Sequence, residues 1–290
     1  MNRRSFRLCC KTVAPPSIGD AMSMRRQITG FSNPTVKQLR ALREKKQRRQ
    51  QGRFLAEGLR LLTDARESGR LPEMLVMAEG REAHPLLTEL EAAVERAGGD
   101  IIETSADILA RITGKDNPQA VAGVFTEFDT ALDRLDPASA PIWLVAQALR
   151  DPGNLGTMLR TGDAVGAGGL ILIDDCADPF SVEAVRASMG AIFTQSVAQA
   201  DWGDFLAWLR KGNGQLVAAS LRDGALPYRR APYAAPCFIL VGNESRGLPE
   251  EYEAACDLRV TMPMRGRADS LNAAIAVAVL AYEALAALDP

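Results

Sequence analysis

Five polar side chains in the second half of this sequence have the types and spacing to act together. Asn154 and Arg160 lie six residues apart after an apolar run that ends near Gln147. Glu244 follows Gly242-Asn243 at the end of a second run, Cys237-Phe238-Ile239-Leu240-Val241. Ser270 and Asn272 come just after Met262-Pro263-Met264 and open a long Ala/Val-rich segment. Gly and Pro gather where apolar runs stop, which is where an α/β sheet sets its ligand site. An amide, a guanidinium, a carboxylate and a hydroxyl converging on one sheet edge suit the positioning of a substrate and the stabilisation of developing negative charge.

Each residue also has an ordinary structural reading. Asp151-Pro152-Gly153 reads as a turn opening a helix, whose first amides suit a phosphate or a ribose. Asn154 there is equally a helix cap, and Arg160 a surface residue on the face of Gly153 and Thr157. Glu244 either orients a guanidinium or substrate, or caps the next helix. Ser270 and Asn272 are good caps for the final helix.

Other chemistries fit poorly. His84 is the only histidine, which disfavours Ser-His-Asp and Cys-His schemes. Cysteines 9, 10, 176, 237 and 256 contain no C-x-x-C pair, so no metal is expected; scattered thiols suit a reducing cytoplasm. No P-loop occurs. Gly166-Ala167-Gly168-Gly169 follows a helix and precedes a strand, the reverse of a dinucleotide-binding turn, so it reads as a helix C-cap and disfavours a nicotinamide enzyme. No apolar run reaches the ~18–20 residues of a membrane span.

The 290 residues suit two domains. Candidate strands at 142–147, 169–173, 193–198, 215–219, 237–241 and 257–262 alternate with helices at 155–166, 181–190, 201–211, 247–255 and 270–287. That alternation predicts a mostly parallel sheet covered on both faces, over 142–290. A smaller α/β unit is predicted over 24–130, with helices at 35–50, 58–68, 84–97 and 105–112 and strands at 73–78, 100–103 and 119–128. The Asp-, Ala- and Pro-bearing stretch 129–141 suggests a linker, drawn at 131–141. Residues 1–23 are expected to be a disordered tail, or an extension before a start at Met22 or Met24.

Charge is unevenly spread. Residues 1–60 hold fifteen Lys/Arg against three Asp/Glu, although the whole chain carries only −2. A basic element on an acidic body suits a polyanionic partner, though a charged helix is often only a solvated face. The predicted helix at 35–50 carries Lys37, Arg40, Lys45, Lys46, Arg48 and Arg49, and only Val36, Leu39 and Leu42 to bury. These six cations are the expected contacts to a polyanion such as a nucleic acid.

Asn154-x-Gly156-x-x-x-Arg160, Gly242-Asn243-Glu244-x-x-Gly247-Leu248 and Met262-Pro263-Met264…Ser270-Leu271-Asn272 resemble the three motifs of the SpoU/TrmH family, in order, across roughly 141–285. Members are S-adenosylmethionine-dependent RNA ribose 2′-O-methyltransferases of the knotted SPOUT class. Arg186-Ala187-Ser188-Met189-Gly190-Ala191 resembles a further family step. Asn33-Pro34…Lys37, Phe54-x-x-Glu57-Gly58 and Asn117-Pro118-Gln119 resemble its ribosomal-protein-like substrate-binding domain. Ser245 and Met262 stand where Gly and Ile are frequent; neither change removes a reacting group.

The resemblance implies a trefoil knot, a homodimer and S-adenosylmethionine as cofactor, with no membrane and no metal. Gly242, Met262 and Leu271, together with Asn243, Gly247, Leu248 and Ser220, would contact the cofactor. Arg160, Asn154, Glu244, Ser270 and Asn272 would form the reacting edge. It implies structured RNA as substrate, ribosomal RNA first and transfer RNA next; a non-catalytic RNA-binding factor on the same fold is the rival class.

Overall fold

The computed structural model describes residues 23–288, so the expected tail at 1–23 falls, except for Ser23, outside the described residues. The first unit contains β1 (Arg25–Ile28), α1 (Pro34–Ala41), α2 (Lys45–Gln51), β2 (Arg53–Glu57), α3 (Leu59–Glu67), β3 (Met74–Ala78), α4 (Pro85–Arg96), β4 (Asp100–Thr104), α5 (Ala106–Thr113) and β5 (Val121–Thr126). Its sheet runs β1-β4-β3-β5-β2, with β5 antiparallel to both neighbours.

The charged segment expected as one helix is two. Asn33 caps α1 by accepting from the Thr35 amide at 2.9 Å, with Pro34 in the first turn. Val36, Leu39 and Leu42 are buried in one apolar cluster with Ile108, Leu109 and Ile112 of α5. The helix ends at Ala41, leaving carbonyls without an intrahelical donor. Arg48, one turn into α2, supplies it: its Nη1 donates to the carbonyls of Leu42 and Arg43, each at 2.8 Å. The same guanidinium meets Asp178 of the second unit at 2.5 Å and is only 2 % exposed. Arg48 therefore leaves the expected RNA-binding set. A guanidinium with four of its five N–H groups on two carbonyls and a carboxylate, and out of water, is not presented to a phosphate.

The second unit contains β6 (Ile142–Gln147), α6 (Pro152–Val165), β7 (Gly169–Ile173), α7 (Val182–Ala187), α8 (Ala191–Thr194), β8 (Ser196–Ala200), α9 (Trp202–Lys211), β9 (Gln215–Ala219), β10 (Leu226–Pro227), β11 (Cys237–Val241), α10 (Glu250–Ala254), β12 (Leu258–Thr261) and α11 (Ala273–Leu288). The sheet runs β10-β12-β9-β11-β6-β7-β8, and every pairing is parallel. Burial of β6, β7 and β11 along their whole length explains their unbroken apolar runs. Gly166 caps α6 in the left-handed conformation (φ 66°), as its place after a helix suggested. The strand expected at 193–198 begins at Ser196, because residues 191–194 form the helical turn α8.

The two units share one apolar cluster. Phe54, Phe125 and Phe128 of the first pack on Phe180 and Phe193 of the second, with ring centroids 4.8–6.2 Å apart. Arg70 lies over the Phe128 ring at 4.1 Å, and its Nε donates to the Phe193 carbonyl at 3.1 Å. Between the units, residues 131–141 form two single turns of 3-10 helix. Leu132 and Leu135 pack on the second core, and Trp143 Nε1 donates to the Pro137 carbonyl.

Candidate active site

Register brings the strand ends together. Val241 lies opposite Ala146 and Leu240 opposite Ala218, so the segments after β6, β9 and β11 leave the sheet side by side. From β6 the chain adds β7 and β8 on one side, then crosses to β9 on the other, with β11 between. That reversal, at the carboxyl ends of parallel strands, opens a crevice.

The loop after β6 is held residue by residue. Ala148 adopts φ 49°, a geometry costing an L-residue about 1–2 kcal/mol, and its carbonyl accepts from Asn243 Nδ2 at 2.9 Å. Leu149 is fully buried, and its carbonyl accepts from the Ala177 amide. Asp151 caps α6, accepting from the Asn154 amide at 2.7 Å. Asn243 in turn accepts from the amides of Ser245 and Arg246, folding the loop after β11 back on itself. Gly242 is required there, because a Cβ would lie 2.4 Å from the Gly247 carbonyl carbon.

Three of the five expected reacting residues are joined directly. Asn154 Nδ2 donates to Glu244 Oε1 at 3.1 Å, and Asn272 Nδ2 donates to Asn154 Oδ1 at 2.9 Å. Asn272 Oδ1 also accepts from the amides of Ala274 and Ile275, so it caps α11 while reaching the network. Ser270 stands beside them and meets Asp269 at 3.3 Å. Arg160 is separate. Six residues along α6, about 9 Å of rise from Asn154, it is exposed and makes no hydrogen bond or ion pair among the described residues.

Beside this network is a hollow of about 560 Å³. Ser220, Gly242, Asn243, Gly247, Leu248, Met262 and Leu271, the seven residues expected around a cofactor, all line it, over an apolar floor of Val241, Val260, Ala273 and Ala276. The volume, and an apolar floor ringed by polar and charged groups such as Ser220, Asn243, Glu244 and Ser270, suit a nucleoside-sized ligand. Sequence reasoning missed Glu253 and Arg222. Ser220 Oγ donates to Glu253 Oε2 at 2.7 Å, the Arg222 amide donates to Ser220 Oγ at 3.1 Å, and Arg222 Nε lies 3.4 Å from Glu253 Oε1. Glu253 is 5 % exposed. It sits within the acidic run Glu250-Glu251-Tyr252-Glu253, where nothing in the spacing marks one carboxylate as buried.

A larger hollow of about 960 Å³ lies between α1, α5 and α7. Its walls mix Arg40, Arg43, Arg111, Lys115 and Arg186 with Glu44, Asp107, Asp116 and Glu183 and carry only Phe31, Ala110 and Val182 as apolar side chains, so the smaller hollow is the better ligand site. His84 caps α4 through Nδ1, and burial pushes the Cys176 thiol up to about 11 and that of Cys237 up to about 12. Neither type is set up as a base or nucleophile. No group of three His, Cys, Asp or Glu among the described residues has the geometry to hold a metal ion.

A parallel α/β sheet with an apolar-floored hollow at its point of reversal, edged by a two-asparagine–glutamate network, defines the class of α/β proteins that take a small ligand at the carboxyl ends of their strands. The SpoU rRNA Methylase family model matches residues 141–282, and an MRM3-like substrate binding domain model matches residues 33–123. The chain is 32 % identical to the 23S rRNA (guanosine(2553)-2′-O)-methyltransferase RlmP of Bacillus subtilis, over 89 % of this chain and 98 % of that one. It superimposes on the AdoMet-bound rRNA methyltransferase of Sinorhizobium meliloti with a TM-score of 0.83 and 39 % identity, covering 90 % and 97 % of the two chains. For the SpoU methyltransferase AviRb of Streptomyces viridochromogenes in complex with AdoMet, the TM-score is 0.79 at 28 % identity, over 88 % and 97 %. The chain belongs to the SpoU rRNA methylase family.

Proposed function

We propose that this protein transfers a methyl group from S-adenosylmethionine to a ribose 2′-hydroxyl of ribosomal RNA. The observation that carries the reading is the Asn154–Glu244–Asn272 network on the rim of the apolar-floored hollow. Bound there, S-adenosylmethionine supplies an electrophilic methyl carbon. The backbone after β11 and the side chains of Met262 and Leu271 hold the cofactor, and Ser220, braced by Glu253, closes the far wall.

The chain must then align the hydroxyl and ease loss of its proton. Alignment can supply up to about 7–11 kcal/mol of the barrier. Asn154 and Asn272, fixed through each other and through Glu244, set the rim against which the sugar rests, with Ser270 beside them. Arg160 stays protonated at any ordinary pH, so its role is to hold the adjacent phosphate and stabilise developing alkoxide, not to act as base.

Within one chain Arg160 stands apart from Glu244, which supports a homodimer in which it serves the partner's site. Ile275 and Tyr282, 50 % and 53 % exposed, form an apolar stripe on the outer face of α11, beside that site. A knotted crossover is part of the same reading. In its support, α11 follows β12 on the far side of β9 yet packs against α6, β6 and β11. Lys37, Arg40, Lys45, Lys46 and Arg49 are the proposed RNA contacts of the first unit. The cytoplasm is the proposed compartment; Cys176, Cys237 and Cys256 are all free thiols, and no described helix is long and apolar enough to cross a membrane.

The test is a map of ribose methylation in total RNA from cells with and without the protein, alongside methyl transfer by the purified chain to ribosomal RNA transcripts. One ribosomal site lost with the gene and restored by the protein is expected. Transfer to no RNA would reject the assignment.

A further inference from the structure

Arg150 is an exposed side chain in the loop that carries the active-site network, and it has no part in holding that loop's shape. Ala148 gives its carbonyl to Asn243, Leu149 is buried, and Asp151 caps α6, while Arg150 reaches away to Asp175 at 2.5 Å. Both partners are open to water, their side chains 61 % and 71 % exposed. A pair so exposed adds little to stability.

Its surroundings are more telling. Asp175 belongs to the same loop as Asp178, the residue that fixes Arg48 of α2. Lys45 and Arg49 stand one turn before and one residue after Arg48 on the same short helix, near enough for their charge to act on Asp175. The Asp175 carboxyl lies below the ordinary carboxylate range, first through its hydrogen bond to Arg150 and the charge of that guanidinium, with Lys45 and Arg49 adding to the effect. Three cations from two units thus converge on one exposed carboxylate. Of the nearby acids, Asp178 is taken by Arg48, and the part-buried Glu127, its carboxyl raised by burial and by Asp178, also feels the charges of Arg48 and Arg49, so Arg150 and Lys45 are the cations left facing Asp175.

We propose that Asp175 keeps the seat of an RNA phosphate, which Arg150 and Lys45 grip once RNA is bound. A phosphate offers the same charge-assisted acceptors as a carboxylate and meets a guanidinium with two oxygens. The seat lies between the basic arm and the active-site loop, four residues from Asn154, so it ties the RNA backbone to the point of methyl transfer. The inference rests on RNA being the substrate.

The test uses the full chain, an in vitro transcript of large-subunit ribosomal RNA, and Arg150→Gln, Arg150→Lys and Asp175→Asn. Arg150→Gln should weaken RNA binding roughly tenfold and reduce the slope of log affinity against log salt by about one. Arg150→Lys should keep most of that slope. Asp175→Asn should tighten binding and lower KM for RNA, because it removes the competing anion. Cofactor affinity by calorimetry should be unchanged in all three. Unchanged affinity and slope in Arg150→Gln, or weaker binding in Asp175→Asn, would overturn the proposal and leave the pair as a brace within the protein. A wild-type chain that methylates no RNA would instead overturn the reading beneath it.

Discussion

Gly156 shows how little room the active-site helix has. A Cβ there would lie 2.4 Å from the Ala184 carbonyl oxygen and 2.6 Å from the Ala187 Cβ, so α6 and α7 touch through bare backbone. Gly156→Ala should cost about 1–3 kcal/mol in denaturant unfolding, through strain rather than lost contacts. Arg160→Ala belongs at the same scale with the opposite signature. It leaves packing alone, so turnover should fall about 10²–10³-fold while cofactor binding by calorimetry survives; equal loss of both would defeat its assignment. At this scale the sequence was readable where chemistry and chain position coincide. Asn154, Glu244 and Asn272 each follow the end of an apolar run, and each reaches the network. Arg48 and Glu253 were not readable. Each is one of several like charges on a short helix, and only the direction of the side chain separates it from its neighbours.

Among elements, the break between α1 and α2 matters most. Three apolar side chains must reach α5, and the carbonyls freed at Leu42 and Arg43 need a donor, which Arg48 provides while pairing with Asp178. Arg48→Ala should therefore destabilise by about 3–5 kcal/mol, since it strands a buried carboxylate, and thermal melts should show it. Replacing Lys45, Lys46 and Arg49 with Ala should do the reverse. Stability should hold within about half a kcal/mol, while RNA affinity drops and its salt slope flattens. An unchanged slope would exclude the arm from binding. The same contrast governs which strands could be read. The strands β7 and β11 begin and end where their apolar runs do, and β6 and β9 exceed theirs by a single glutamine, because both sheet faces are covered. The edge strand β1, Arg-Arg-Gln-Ile, has no such run, and β2 reads as a lead-in to α3 until its pairing with β5 is seen.

For the whole molecule, the outer face of α11 makes a prediction about assembly. Ile275→Glu with Tyr282→Glu should turn a dimer into a monomer by sedimentation and silence transfer, if Arg160 serves the partner's site. A fully active wild-type monomer would refute that arrangement. The parallel architecture was legible from alternation alone, but the contact between the two units was not: Phe54, Phe125 and Phe128 lie more than fifty residues from Phe180 and Phe193 and share no pattern with them. Their interlocking has a further consequence. Five interlocked rings tie the two units together, so under the proposed function the basic arm and the methyl-donating crevice would stand at a set separation, like the jaws of a caliper. A substrate would then be chosen by the span between a backbone grip and a target sugar, and one nucleotide inserted into that span should move the mark or abolish it, whatever bases lie at the crevice.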